Sequence, residues 1–130
     1  MLTSAFDSIH GVDNVLGLIP AKRVVVVLVD GLGADNLQTH RAHARSLAAL
    51  PRKVGIGNFP STTASALATF ATGADPGMTG MVGYAVRNPA TGLIVNQLSG
   101  LDDLDPVEWQ PVPTVWERQP EPNGPIGATL

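Results

Sequence analysis

The run "VVVVLV", residues 24–29, constrains this chain more than any other stretch. Five of its six side chains are β-branched valines, and a branched Cβ fits a pleated strand better than a helix. No polar residue alternates with them, so a strand here needs cover on both faces, as in the centre of a parallel sheet. Asp30-Gly31-Leu32-Gly33 ends the run with a turn. From about Ala34 to Leu50 the pattern predicts a helix carrying Leu37, Ala44, Leu47, Ala48 and Leu50, and Pro51 stops it. A second strand is expected over about 53–58 and a second helix over about 63–72, where Gly73 suits a left-handed C-terminal residue. Strand, helix, strand, helix is the rhythm of an α/β fold.

Past Gly73 the texture changes. "GMVGYAVRN" and "GLIVNQL" read as two strands, joined by a hairpin turn at "NPATG". After Gly100 come "LDDLDP" and a proline-rich tail, with Thr114 to Arg118 as one helical turn. There is no internal repeat.

Charge and composition exclude several roles. The formal net charge is −3, whereas nucleic-acid domains that rely on bulk electrostatics are basic. Cysteine is absent, so disulfides, thiolate metal sites and cysteine nucleophiles are excluded. The N-terminal "MLTSAFDSIHG" lacks the charged-then-apolar pattern of a secretory signal. The longest apolar run is far short of the roughly 20 residues that span a bilayer. A hydrophobic content of 44% fits a globular chain, expected to be soluble and cytoplasmic.

Two places carry chemistry. Asp30 follows directly on the apolar run, and ligands of open α/β sheets bind at the carboxyl ends of strands. A carboxylate beside a dry core needs a cation or hydrogen bonds to offset its burial. Its bland use is to cap the next helix or structure the glycine turn. The second place is Ser61, Thr62 and Thr63, three hydroxyls at a helix start. Unpaired N–H groups and the positive end of the macrodipole welcome an anion there. Any of the three could be a plain N-cap; coordination to a metal could instead turn one into a nucleophile.

Other patterns fall short. "GLGADN" puts Asn36 where a dinucleotide fingerprint needs its last glycine. Leu32 stands where an aspartyl-nucleophile phosphatase would carry a second Asp. His40 and His43 share a helix face with Arg41 and Arg45 close by, which reads as a solvated face rather than a zinc site. His10 is isolated. Asp102, Asp103 and Asp105 lack the alternation, glycine and distal glutamate of a calcium loop and read as a solvated loop. Trp109 and Trp116 read as rings that cover the core.

Taken together, "RVVVVLVDGLGADNL" and "FPSTTASALATFATGADPGMTGMVGY" resemble the alkaline phosphatase superfamily, most closely its nucleotide pyrophosphatase/phosphodiesterase (type I phosphodiesterase) branch. The resemblance is strong over about residues 20–86. It implies an α/β fold, a partial alkaline-phosphatase-like sandwich with a mostly parallel sheet flanked by helices and a β-hairpin insertion. It also implies that residues 1–130 are a single incomplete domain, the N-terminal part of a longer catalytic one, so that the activity is expected of the full-length parent and not of this stretch alone. In that family an aspartate ending a hydrophobic strand ligates one of two zinc ions, which places Asp30. The nucleophile is a Thr or Ser nine residues before a Thr-Gly pair; counting back from Thr72 reaches Thr63, which the resemblance makes both nucleophile and metal ligand. The implied reaction is hydrolysis of a phosphodiester or phosphate ester through a covalent threonine intermediate, with two Zn2+ ions. Its substrates are small phosphate esters or nucleotide-like molecules, with neither nucleic acid nor membrane as partner. Thr79 stands where family members often have His, and Tyr84 where the nucleotide-cleaving branch commonly has Asn, so a plain phosphatase stays open. The alternative is a non-catalytic α/β anion-binding or interaction module that keeps the motif as scaffold.

Overall fold

In the computed structural model the described residues are 1–99 and 104–119. In chain order the elements are helices α1 (Leu2–His10), α2 (Ala34–Thr39), α3 (Arg45–Ala48), α4 (Thr63–Thr72) and α5 (Pro76–Thr79), strands β1 (Ala85–Arg87) and β2 (Ile94–Asn96), and helix α6 (Pro106–Trp109). They fall into two units: residues 25–57 form one, and the chain on either side of them forms the other. The mixture of helices with a small antiparallel sheet gives the protein α/β character.

The larger unit is built around α1, a helix the sequence reading did not anticipate. Leu2, Ala5, Phe6 and Ile9 recur at the spacing of one helix face, and Leu2, Ala5 and Phe6 are buried. Gly11 closes the helix at φ 69°, the left-handed conformation that glycine adopts without a Cβ penalty. Leu2 and Phe6 pack with Val115, and Phe70 of α4 and Trp116 lie against this cluster. The rings of Phe6 and Trp116 meet edge to face, 6.4 Å between centroids at 89°, a favoured geometry for aromatic pairs.

Residues 114–118 fasten to the C-terminal end of α4, as one helical turn. The Val115 amide donates to the Ala71 carbonyl at 2.7 Å, and the Arg118 guanidinium donates to the Thr72 carbonyl. A cation there complements the negative end of the helix macrodipole. The turn is itself a capping box: the Thr114 amide donates to Glu117 Oε2 at 2.7 Å, while the Glu117 amide donates to Thr114 Oγ1 at 3.2 Å. The Thr114 backbone bond and then its hydroxyl bond hold the Glu117 carboxyl below the usual glutamate range. A depressed folded-state pKa means that the stabilisation is present above the ordinary glutamate pKa and is lost as pH falls through the lowered value. Acidification below that range is expected to lower the protection of the Thr114 amide relative to its intrinsic exchange rate at each pH, and Glu117→Gln should remove that pH-dependent change in protection.

The anticipated hairpin is present. β1 and β2 pair antiparallel with Ala85 opposite Asn96, Val86 opposite Val95 and Arg87 opposite Ile94. Asn88 shapes the connection: its amide donates to the Leu93 carbonyl at 2.8 Å and its side chain accepts from Ala90 N–H at 2.8 Å. With its amide oriented to satisfy both ends, buried Gln97 donates to the Gly83 carbonyl (2.6 Å) and accepts from Trp109 Nε1 (3.1 Å). Trp116 therefore covers the core as expected, whereas Trp109 is tied to the hairpin by this bond. Asp105 caps α6 by accepting from the Val107 amide at 2.9 Å; Asp102 and Asp103 lie outside the described residues.

The smaller unit departs furthest from expectation. Residues 24–29 form no strand, and neither do 53–58. Among the described residues the sheet is the antiparallel β1–β2 pair, so the expected mostly parallel sheet is not confirmed there. The physical reason is a want of partners: a central strand needs neighbours on both edges. Val25 is 86% and Val27 77% exposed, the reverse of the expected cover. The single helix expected over 34–50 is two short ones. Residues 40–44 make turns, with His43 N–H donating to the His40 carbonyl at 2.9 Å. An isolated helix of such length depends on tertiary packing, and Leu47 and Leu50 remain exposed. Hydrogen exchange separates the two behaviours: α4 amides should be protected, whereas those of Val25 to Val29 should exchange at nearly unfolded rates. Protection at Val25 to Val29 would show that the run has found a ladder.

Candidate functional site

The opening of α4 is the best-formed part of the site. Thr62 is its N-cap, in extended backbone at φ −103° and ψ 154°. Its Oγ1 accepts from the Ser65 amide at 3.3 Å, satisfying one of the donors that a helix start leaves without an intrahelical partner. Ser65 is fully buried, and its Oγ accepts from Asn58 Nδ2 at 2.6 Å. The Asn58 bond ties the incoming segment to the first turn across the cis Phe59–Pro60 peptide. Ser61 is exposed, and Thr63 is half-buried as the first helical residue. The cap is thus Thr62, and Thr63 lies one residue further in, within the turn where the positive end of the helix concentrates.

The far end of α4 is equally determined. Gly73 takes φ 69°, and its amide donates to the Thr69 carbonyl at 2.8 Å. A Cβ at Gly73 would stand 3.0 Å from Thr3 Oγ1, so close packing joins the positive φ in requiring glycine. Thr72 Oγ1 donates to the Ala68 carbonyl at 2.7 Å and accepts from the Ala74 amide at 3.1 Å, which turns the chain towards Pro76 at the start of α5. Buried Thr79 does the same after α5, accepting from the Met81 amide at 3.3 Å. Tyr84 is exposed just ahead of β1.

Asp30 lies in the smaller unit and is exposed at the end of the apolar run, not beside a dry core as the strand reading required. Gly31 follows at φ 73° and makes the turn, its carbonyl accepting from Asn36 Nδ2 at 3.4 Å. Asp30 and Thr63 belong to different units. His40 and His43 are exposed in the turn after α2, and His10 is exposed at the end of α1. Among the described residues no group of three or more His, Cys, Asp or Glu side chains gathers in a way that could hold a metal ion. Likewise, no helix among them is long and apolar enough to cross a membrane.

The bond that sequence reasoning missed is Asn58 to Ser65. Its signal was present, since Asn, Ser and Thr concentrate where a chain enters a helix, but spacing alone could not say which hydroxyl takes which donor.

A capped helix that begins with hydroxyl side chains has a positive end that favours an anion. The family model for type I phosphodiesterase / nucleotide pyrophosphatase matches residues 24–123. The chain belongs to that family, whose members are hydrolases of the phosphodiester type acting on small phosphodiester or nucleotide substrates. No curated protein and no solved structure gives a match.

Proposed function

We propose that Thr63 is the nucleophile of a phosphodiester or phosphate-ester hydrolase, and that Asp30 and Thr63 are the ligands this chain brings to a two-ion zinc centre. Family membership supports the hydrolase class. The observation that carries the residue assignment is the cap. Thr62 Oγ1 accepts from the Ser65 amide, which makes Thr62 the cap and sets Thr63 as the first residue of the helix, at its positive end.

A zinc site takes three or four protein ligands, and the described residues do not gather such a set. They do not complete a zinc centre, and the chemistry derived from them is that of Thr63 and its helix. Thr63 Oγ1 attacks phosphorus in line with the leaving oxygen. The new O–P bond forms as the ester P–O bond breaks; Thr63 Oγ1 gives up its proton to solvent and the leaving alkoxide takes one up from solvent, so the step balances. The phosphoryl or nucleotidyl group then sits on Thr63 at the positive end of α4, where the dipole and first-turn amides steady its negative oxygens. Water attacks the same phosphorus, releases the phosphate product and restores the hydroxyl.

The reading extends to the fold. An alkaline-phosphatase-like sandwich would place residues 24–29 in a mostly parallel sheet, and the exposed valines support this because water disfavours so much apolar surface. Trapping the intermediate tests the chemistry. The intact protein, with its full set of zinc ligands, is mixed with a phosphate ester and Zn2+, quenched in acid and mapped by peptide mass spectrometry. A covalent phosphoryl adduct is expected on Thr63; an adduct on Ser61 or Thr62 would overturn the assignment, and no adduct would favour the non-catalytic anion-binding module.

A further inference from the structure

We infer that Asn58 and Ser65 are positioning residues: the bond between them sets the place of the Thr63 hydroxyl for attack on phosphorus. This rests on the reading that Thr63 is the nucleophile. Asn58 Nδ2 donates to Ser65 Oγ at 2.6 Å, and Ser65 is fully buried. Water therefore does not compete for the Ser65 hydroxyl, and its low-dielectric surroundings strengthen the bond. The bond joins residues seven apart and closes a ring of backbone that contains Thr63. A smaller ring lies inside it, where the Ser65 amide donates to Thr62 Oγ1 at 3.3 Å. Both rings fasten on Ser65, and Thr63 stands within both.

Three observations separate positioning from plain support of the fold. The chain re-enters the larger unit at Asn58, directly after a stretch in which a Cβ added at Gly55 or Gly57 would meet no atom within 4 Å. Glycines leave an incoming segment loose, and the tether is where that freedom ends. The core cluster meets α4 through Phe70, towards the helix's other end, so the bond braces the end that carries Thr63 rather than the packing. Ser65 also sits among alanines, and alanine is the better helix former. A buried hydroxyl costs stability unless it is bonded, so what serine adds at this position is the bond itself. Helix ends fray, and a nucleophile misplaced by about 1 Å loses about a hundredfold in rate.

The test is single-turnover release of nitrophenolate from a para-nitrophenyl phosphate ester, with the intact protein and its full set of zinc ligands in excess over the ester. At saturating protein the release rate reads the attack step, whereas an unfolded fraction only raises the protein concentration needed to reach that plateau. Ser65→Ala keeps the backbone amide that donates to Thr62 Oγ1 and removes the tether alone. Its plateau rate is expected to fall about tenfold to a hundredfold. Asn58→Ala should fall equally, and the double variant no further, because losing both ends of one bond is the same as losing either. An unchanged plateau reached at higher protein concentration would overturn the inference by leaving only support of the fold. Losses that multiply in the double variant would overturn it too, since the two side chains would then act separately. Thr63→Ala keeps the two readings apart. If it releases nitrophenolate as fast as the unsubstituted protein, the nucleophile reading fails and this inference with it. If it abolishes release while Ser65→Ala and Asn58→Ala keep the full plateau rate, the positioning role alone fails.

Discussion

Thr63→Ala is expected to abolish phosphate-ester hydrolysis, lowering kcat by at least about a thousandfold, as loss of a covalent nucleophile does. The fold should barely notice. Thr63 is half-buried at the first helical position and is not the cap, and alanine is the strongest helix former. Thr62→Ala should behave in the opposite way. It removes the Oγ1 that accepts from the Ser65 amide, costing about 1 kcal/mol of stability, yet the enzyme should still turn over. The measurement is a steady-state assay of the intact protein with Zn2+, beside a urea melt of each variant. Equal loss of activity in both variants would mean that the assay reads the integrity of the helix start rather than a nucleophile. Thr63→Ser adds a finer check, since a hydroxyl without the β-methyl should retain part of the rate.

Phe6→Ala carries the largest expected effect on folding. Phe6 is buried, packs with Leu2 and Val115, and meets the ring of Trp116. Truncating a buried phenylalanine typically costs about 3–5 kcal/mol, comparable with the whole stability of many small domains. The cluster around Leu2, Phe6 and Val115 is small, so little else can compensate, and the larger unit should unfold at markedly lower urea. Far-UV circular dichroism is the suitable probe, because the substitution itself alters the surroundings of Trp116. Ile9→Ala, on the same helix but exposed, should change the midpoint little. Similar losses in both would mean that the exposed position contributes as much as the buried one, against a stabilising role specific to the buried face of α1.

Much of α4 was legible in the residues. A proline and three hydroxyls precede an alanine-rich stretch that ends on Thr72-Gly73, and the helix runs from Thr63 to Thr72 with Gly73 left-handed. These features are local: capping needs only a side chain within three residues, and a left-handed terminus needs only a missing Cβ. The hairpin was legible for the same reason, since Asn88 and the residues up to Gly92 build the turn among themselves. Helix α1 was also encoded, in the spacing of Leu2, Ala5, Phe6 and Ile9. It is short, however, and only the distant Val115 and Trp116 show which face it buries.

The sequence by itself determined the family, the C-terminal end of α4 at Gly73 and the hairpin, because each rests on residue types at short, fixed separations. Only the tertiary structure decided that Thr62 rather than Thr63 holds the cap, and that Asn58 is bound to Ser65. It alone showed that "VVVVLV" lies exposed with no ladder. A cap is chosen by which oxygen reaches which amide, and a strand exists only where another backbone offers its donors and acceptors, so neither is a property of the segment alone.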